Sequence, residues 1–392
     1  MKETRQINRR NFLQHGAIAF GAPAVLGLSS SVFGKESGPL NFGVIGTGGR
    51  GTYLLEQALK VPGVRATALC DIDQEALEKA REIAKNHKPE TYTYYKKLLE
   101  RKDLDAVFIA TPPYLHKSMT VDTLDAGLNC YTEKPMALTV NDLEAVVKTC
   151  REARGILQVG QQLRYHPSLR EAMRRIQNGE LGKIGFIRSQ RYADWDGPGS
   201  RLGMRWLWTI EESGDQIVEQ SVHELDVLNW VMNDHPVRIA GLGGQNMIFE
   251  PEGCNICDHY GLTLEYPGDR RAVFSMIKYA PYGYNMGDRI IDAYGEKGSI
   301  DLQLKGPSTI VWRGKEAPKP EEIEDKKVDY ALACIKDFFD CIRDSRKPYA
   351  DAEIGQITAL TALLGRKAIY ERRVVTWEDL LKEGAPLRPI RG

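Results

Sequence analysis

At 392 residues the chain is long for a single hydrophobic core, so two domains are expected. Its composition, 42% hydrophobic and 27% charged, is that of an ordinary globular protein. A formal net charge of zero gives no reason to expect nucleic acid or an acidic membrane surface as a partner.

The first 34 residues read as a leader rather than as part of the fold. Arg9-Arg10-Asn11-Phe12-Leu13 precedes a mildly apolar, Gly/Ala-rich run from Gly16 to Leu28, and small residues follow to Gly34. Basic residues, a short apolar stretch and a small-residue end make a secretory signal. The paired arginines resemble the twin-arginine class, which implies export of a folded protein to the periplasm. Without residues 1–34 the formal charge is −3.

The next stretch organises the chain. Phe42, Val44 and Ile45 read as a buried strand, and Gly46, Gly48 and Gly51 follow with G-x-G-x-x-G spacing around Thr47, Gly49 and Arg50. Thr52 to Lys60 continues with helical periodicity. In a dinucleotide-binding turn the first glycine makes the tight turn and the second lets backbone approach a pyrophosphate. The third lets helix and strand pack closely. The helix N-terminus then offers free N–H groups and a positive dipole end to the phosphates. A second strand, Arg65 to Cys70, ends in Asp71, whose carboxylate is placed to accept from ribose hydroxyls and to repel the 2′-phosphate of NADP. NAD is therefore the expected cofactor.

Strand and helix patterns then alternate to about Gly160. Gln74–Lys85 reads as helix, Ala106–Ala110 as a strand buried on both faces, Ser118–Ala126 as helix and Asn129–Thr132 as strand. Val140–Arg154 is a helix and Ile156–Gly160 a last strand. The pattern predicts a doubly wound parallel α/β domain over residues 40–163. Its ligands bind outside the carboxyl ends of the strands. Thr111, Pro112, His116, Glu133 and Lys134 all fall just after strands, which makes them site candidates.

Residues 164–392 read as an α+β domain with a large, open, mostly antiparallel sheet. After a helix at Ser168–Gln177, strands are expected at Ile184–Tyr192, Val237–Gly243, Tyr260–Glu265, Arg271–Ile277, Ile290–Ala293, Ile300–Leu304 and Thr309–Trp312. Ser213–Met232 is a helical region that places Glu219 and His223 on one face, so that the carboxylate would orient the imidazole. Pro318–Lys327 reads as a charged linker, and Asp329–Arg343 and Ile354–Glu371 as closing amphipathic helices. An apolar outer sheet face favours a homo-oligomer, a dimer or tetramer. Cys254 and Cys257 form a lone C-x-x-C, expected to be two ordinary thiols or a local disulfide rather than a zinc site; no metal is expected. Arg191–Asp215 carries Tyr192, Trp195, Trp206 and Trp208 without periodicity, as expected of a lid over a sugar. The alternative is a tryptophan-rich packing loop.

The glycine turn, Asp71, T-P-P-Y-L-H (111–116), Y-T-E-K-P (131–135), G-Q-Q-L-R-Y-H-P (160–167) and E-Q-S-V-H (219–223) come in the order seen in the Gfo/Idh/MocA oxidoreductases, which the chain resembles after its leader. The resemblance implies an N-terminal NAD(P) domain, a C-terminal open-sheet domain and sugar or cyclitol substrates. By motif position it implies that Lys134 is the active-site lysine and His223 the catalytic histidine, with Arg164 near the nicotinamide or substrate. Glu219 stands where that family usually has Asp. The chemistry asks for the same residue types: oxidising a carbinol needs a base for the hydroxyl proton and a cation to stabilise developing negative charge. Two rivals are a glycosidase that oxidises its sugar transiently and a non-enzymatic dinucleotide sensor. The intact Glu-Lys-Pro speaks against the first, and the joint presence of Lys134 and His223 against the second.

Overall fold

The computed structural model describes residues 38–192, 204–245, 253–278 and 289–385. The leader and Trp195 lie outside the described residues.

Two sheets carry the fold. The first is six-stranded in the order β3-β2-β1-β4-β5-β6, with β1 Leu40–Ile45, β2 Val64–Cys70, β3 Glu90–Tyr92, β4 Ala106–Ile109, β5 Asn129–Thr132 and β6 Leu157–Val159. Every neighbouring pair in it is parallel. β1 and β4 are buried almost throughout because helices cover both faces, which is why their sequences read as apolar runs rather than alternations. β3 and the helix Tyr95–Leu99 escaped the sequence reading; three and five residues are too short to establish a period. Helix starts follow side-chain caps: Asp73 accepts from the backbone of Glu75 and Ala76 to open Gln74–Ile83, and Thr139 accepts from Asp142 to open Val140–Glu152.

The second sheet has nine strands in the order β14-β13-β12-β11-β7-β10-β9-β8-β15. These are β7 Ile184–Tyr192, β8 Arg238–Gly244, β9 His259–Tyr266, β10 Arg270–Ile277, β11 Arg289–Gly295, β12 Gly298–Asp301, β13 Ser308–Trp312, β14 Glu321–Ile323 and β15 Val375–Thr376. Only β7 and β10 pair in parallel. Inward positions such as Ile187, Ala272, Phe274, Leu262 and Leu264 are buried, so the sheet has one covered face and one open face. The stretch expected to be a plain linker supplies β14, which adds an edge to β13 and is pinned by Arg175 to Glu321 at 2.6 Å.

Two closing helices join the sheets. Tyr330–Asp344 returns to the first: Phe338 and Phe339 stack edge-on with Phe42, Phe108 and Tyr131. Ala352–Glu371, expected to be amphipathic, is buried nearly all round because it runs between Val140–Glu152 and the covered face of the second sheet. The expected helix Ser213–Met232 is three pieces, Ile210–Ser213, Gln216–Glu219 and Val222–Met232. Gly214 and Asp215 both have positive φ, +80° and +81°, and they break it. Buried Asp215 holds that turn by accepting from Ile217 N, Cys257 N and the Tyr370 hydroxyl. Among the described residues no helix is long and apolar enough to cross a membrane.

Candidate active site

The glycine turn has the geometry its spacing predicts. Gly46 sits at φ +85°, and a Cβ there would lie 2.8 Å from the backbone of Ala110 and Thr111. A Cβ on Gly51 would lie 1.7 Å from the Gly46 carbonyl oxygen, so helix and strand meet as closely as two backbones allow. Gly48 faces open space instead, where bare backbone can meet a ligand. The helix Gly49–Ala58 begins with no side-chain cap and no acid in its first turn, leaving its dipole end to an anion. Thr47 donates from backbone N (2.5 Å) and Oγ1 (3.2 Å) to one oxygen of Asp71, and Asp73 N donates to the other. The carboxylate is thus fixed at the end of β2, with lone pairs left for ribose hydroxyls.

These residues fit a dinucleotide, and Arg50 decides which kind. Its guanidinium is committed to Glu133 at 2.7 Å and Gln162 at 2.8 Å, and lies over the Tyr53 ring. Those partners already hold the guanidinium. Cofactor-free protein should therefore bind NAD about 100-fold or more tighter than NADP in parallel calorimetric titrations, since a like charge placed beside Asp71 costs several kcal/mol. Equal or tighter NADP binding would refute that assignment.

Across the strand ends, Glu133, Lys134 and a cis Pro135 form the next turn. Buried Glu133 accepts from Arg50, and its space exists because residue 160 is glycine: a Cβ there would stand 3.0 Å from the carboxylate. Lys134 reaches out of the first sheet to Glu219, donating to Oε1 at 2.6 Å and to the backbone oxygen at 2.7 Å. Among the described residues two of its three donors are used and one remains. Burial opposes ionisation of Glu219, but Lys134 outweighs it and holds the carboxyl below the ordinary carboxylate range.

This corrects the role expected of Glu219. It partners Lys134 rather than orienting His223: one carboxylate oxygen takes Lys134, the other takes Gln220, and the described residues show no hydrogen bond from it to His223. His223 lies in the first turn of Val222–Met232, buried, and its Nδ1 has no hydrogen-bond partner among the described residues. Burial pushes its pKa well below 6.5, and Lys134, Arg289, Arg191 and Arg50 push in the same direction. The imidazole is neutral at neutral pH, which is the form a base needs.

Two further candidates are structural. His116 is buried with Nδ1 2.7 Å from the Pro135 oxygen and Nε2 2.8 Å from the Thr111 oxygen, so it ties the Thr111–Pro112 loop to the Lys134–Pro135 turn. Neither ring nitrogen is left for a cofactor. Arg164 is buried against Asp226 at 2.8 Å, with Trp230 under its guanidinium and Thr358 donating to the same acid. It straps the turn Gln162–Tyr165 to two helices of the second half, and its charge is spent on Asp226. Thr111 stays at the strand end, half-buried beside Gly46.

The tryptophans divide. Trp208 is buried, with the Lys278 ammonium 3.6 Å over its ring, which is the packing alternative for that residue. Trp206 in the turn Arg205–Trp208 and Tyr192 at the end of β7 are half-buried. Cys254 and Cys257 form no disulfide, and no metal-binding cluster exists among the described residues.

Sequence reasoning missed a buried cluster behind His223. Glu224 is completely buried and takes Arg191 at 3.0 Å and Arg289 through its Nε. Arg191 also donates to Gln220, and Tyr260 donates to Ser221. The available signal was a charge at an inward strand position: Arg191 continues the inward row of Ile187 and Ser189.

Comparison with known proteins decides the family. Residues 40–161 match the oxidoreductase family with NAD-binding Rossmann fold, and residues 169–301 match the C-terminal domain of the same family. The chain belongs to the Gfo/Idh/MocA oxidoreductases. As a member of that family it is an NAD-binding oxidoreductase. Among its relatives is 2,7-anhydro-N-acetylneuraminate hydratase of Mediterraneibacter gnavus, 29% identical over 68% of this chain and 67% of that protein. Myo-inositol 2-dehydrogenase of Thermotoga maritima is 21% identical over 87% of this chain and 100% of the relative. Levoglucosan dehydrogenase, solved with NADH and levoglucosan, shares the fold with a TM-score of 0.76 over 86% of this chain and 99% of its own, at 17% identity.

Proposed function

We propose that the protein is an exported dehydrogenase that moves hydride between a sugar, glycoside or cyclitol hydroxyl and bound NAD. The observation that carries this is that Lys134, with a donor unused among the described residues, lies near enough to a buried neutral His223 with an unpartnered nitrogen to depress its pKa, across the two halves of the chain. Bound NAD supplies the hydride acceptor. His223 takes the hydroxyl proton as the carbinol is oxidised. Lys134 donates to the same oxygen and stabilises the charge developing there, while Glu219 fixes its ammonium and Arg50 fixes the neighbouring Glu133. Trp206 and Tyr192 are the aromatic candidates for covering the sugar ring.

The redox-neutral alternative, oxidation followed by elimination, gains weight from the hydratase relative. The intact Glu133-Lys134-Pro135 weighs for net oxidation. Mass spectrometry of products from a sugar panel separates them: a product lighter by two hydrogens is expected. Cleaved or hydrated product with NAD unchanged would establish the alternative.

The cofactor must be acquired where NAD is abundant, so a twin-arginine leader and a dinucleotide site belong together. We expect Arg9→Lys with Arg10→Lys to abolish periplasmic accumulation, read by fractionation; undiminished export would exclude this route. The open face of the second sheet exposes Phe186, Leu242, Tyr294 and Val311, which favours assembly into a dimer or tetramer.

A further inference from the structure

We propose that the guanidinium of Arg289 is a carboxylate-binding subsite, and that the protein's preferred substrates are acidic sugars: hydroxyl-bearing rings or chains that also carry a carboxylate. This deepens the sugar-dehydrogenase reading and rests on it.

Arg289 opens β11 directly opposite Arg191 on β7, and with Ile291 and Ala293 it belongs to the inward row of its strand. Both arginines converge on Glu224, the residue next to His223. They do so differently. Arg191 spends Nη1 on Glu224 and the Gln220 oxygen, and Nη2 on the Gln220 side chain. Arg289 engages Glu224 through Nε, and its two terminal amino groups have no partner among the described residues. A guanidinium fixed at Nε presents those two groups as a fork, the geometry that takes a carboxylate with two parallel hydrogen bonds. Its side chain is 18% exposed, so the fork is neither sealed in the core nor dissolved in bulk solvent.

Charge counting agrees. Among the described residues Glu133 answers Arg50 and Glu219 answers Lys134, but the single carboxylate of Glu224 answers two arginines. One positive charge is left over beside His223, and an oxidised nicotinamide would add another. A neutral sugar leaves that excess uncompensated, whereas a carboxylate neutralises it in a partly desolvated site. Proximity to His223 has an independent mark, since Arg289 is among the cations that depress its pKa.

The test uses full-length, NAD-loaded protein and matched pairs: methyl glucoside with methyl glucuronide, galactose with galacturonate, and glucose with gluconate. The acidic member should have the higher kcat/KM by roughly 10- to 100-fold, carried mainly by KM. Added salt should lower kcat/KM for the acids and leave the neutral members nearly flat. Arg289→Lys keeps the charge but loses the fork, and should shrink the acid-to-neutral ratio through KM. Should that variant fail to fold, the salt dependence of the wild-type protein carries the same test. Equal or better turnover of neutral members overturns the inference and leaves the sugar-dehydrogenase reading intact. Reduction of NAD by no member of any pair overturns that reading, and the inference falls with it.

Discussion

Lys134→Ala is expected to lower kcat on the order of 10²- to 10³-fold while NAD still binds, because in the proposed reaction its ammonium stabilises the charge developing on the substrate oxygen. The variant should also be less stable. Glu219 would keep its burial and lose its partner, and breaking one side of a buried pair costs about 3–5 kcal/mol when the pair is fully enclosed. This pair is slightly open, at 13% and 8% side-chain exposure, so the lower end applies. Stability and catalysis separate in the double variant Lys134→Ala with Glu219→Gln. Removing the stranded charge should recover much of the melting temperature and none of the turnover. Recovery of turnover would show that Lys134 acts only as a structural partner. Stopped-flow turnover beside calorimetric melting of the three proteins settles it.

His223→Ala should cost on the order of 10²- to 10⁴-fold in turnover, the range for a positioned acid–base group, again with NAD affinity retained. The pH profile of the wild-type protein gives the more specific reading. Burial and four neighbouring cations hold the folded pKa well below 6.5, so the imidazole stays neutral as pH falls past that ordinary value. For oxidation, kcat/KM should remain flat through neutral pH, and its acid limb attributable to His223 should begin well below 6.5. Stability has a definite sign. The unfolded chain takes up the His223 proton near 6.5 while the folded chain resists it, so this group's contribution falls as pH drops below 6.5 and levels off below the folded pKa. His223→Ala removes that share of the acid sensitivity. An acid limb centred at or above 6.5 would mean that another group sets the rate.

The sequence made the nucleotide half legible because its signals are local. Gly51 is forced by its contact with Gly46 inside one βαβ unit, Gly46 by its positive φ and the backbone of Ala110 and Thr111, and Asp71 is fixed at a strand end. The positions of Lys134 and His223 were legible through their motifs. Their partners were not, because pairing depends on contacts between residues far apart in the chain. Spacing placed Glu219 and His223 on one face of one helix, and it cannot see that a lysine from the first sheet takes the carboxylate or that the helix is interrupted at Gln220–Ser221. Arg164 and His116 stood in site-like positions, yet each is consumed by partners from distant segments, Asp226 and Thr358 for one and the Thr111 and Pro135 carbonyls for the other. Arg289 carries no motif at all. Its significance arises from strand register opposite Arg191 and from a shared acid on a helix.

The central claim is direct hydride exchange between a substrate carbinol carbon and the bound nicotinamide at the Lys134–His223 site. It is tested most directly by incubating NAD-loaded protein with a sugar deuterated at its ring carbons, then releasing and weighing the cofactor. One deuterium on the reduced nicotinamide is expected from wild-type protein, with the transfer rate falling at least 10²-fold in Lys134→Ala and His223→Ala. Reduced cofactor without deuterium, or deuterium transfer at the wild-type rate in both variants, would contradict the account.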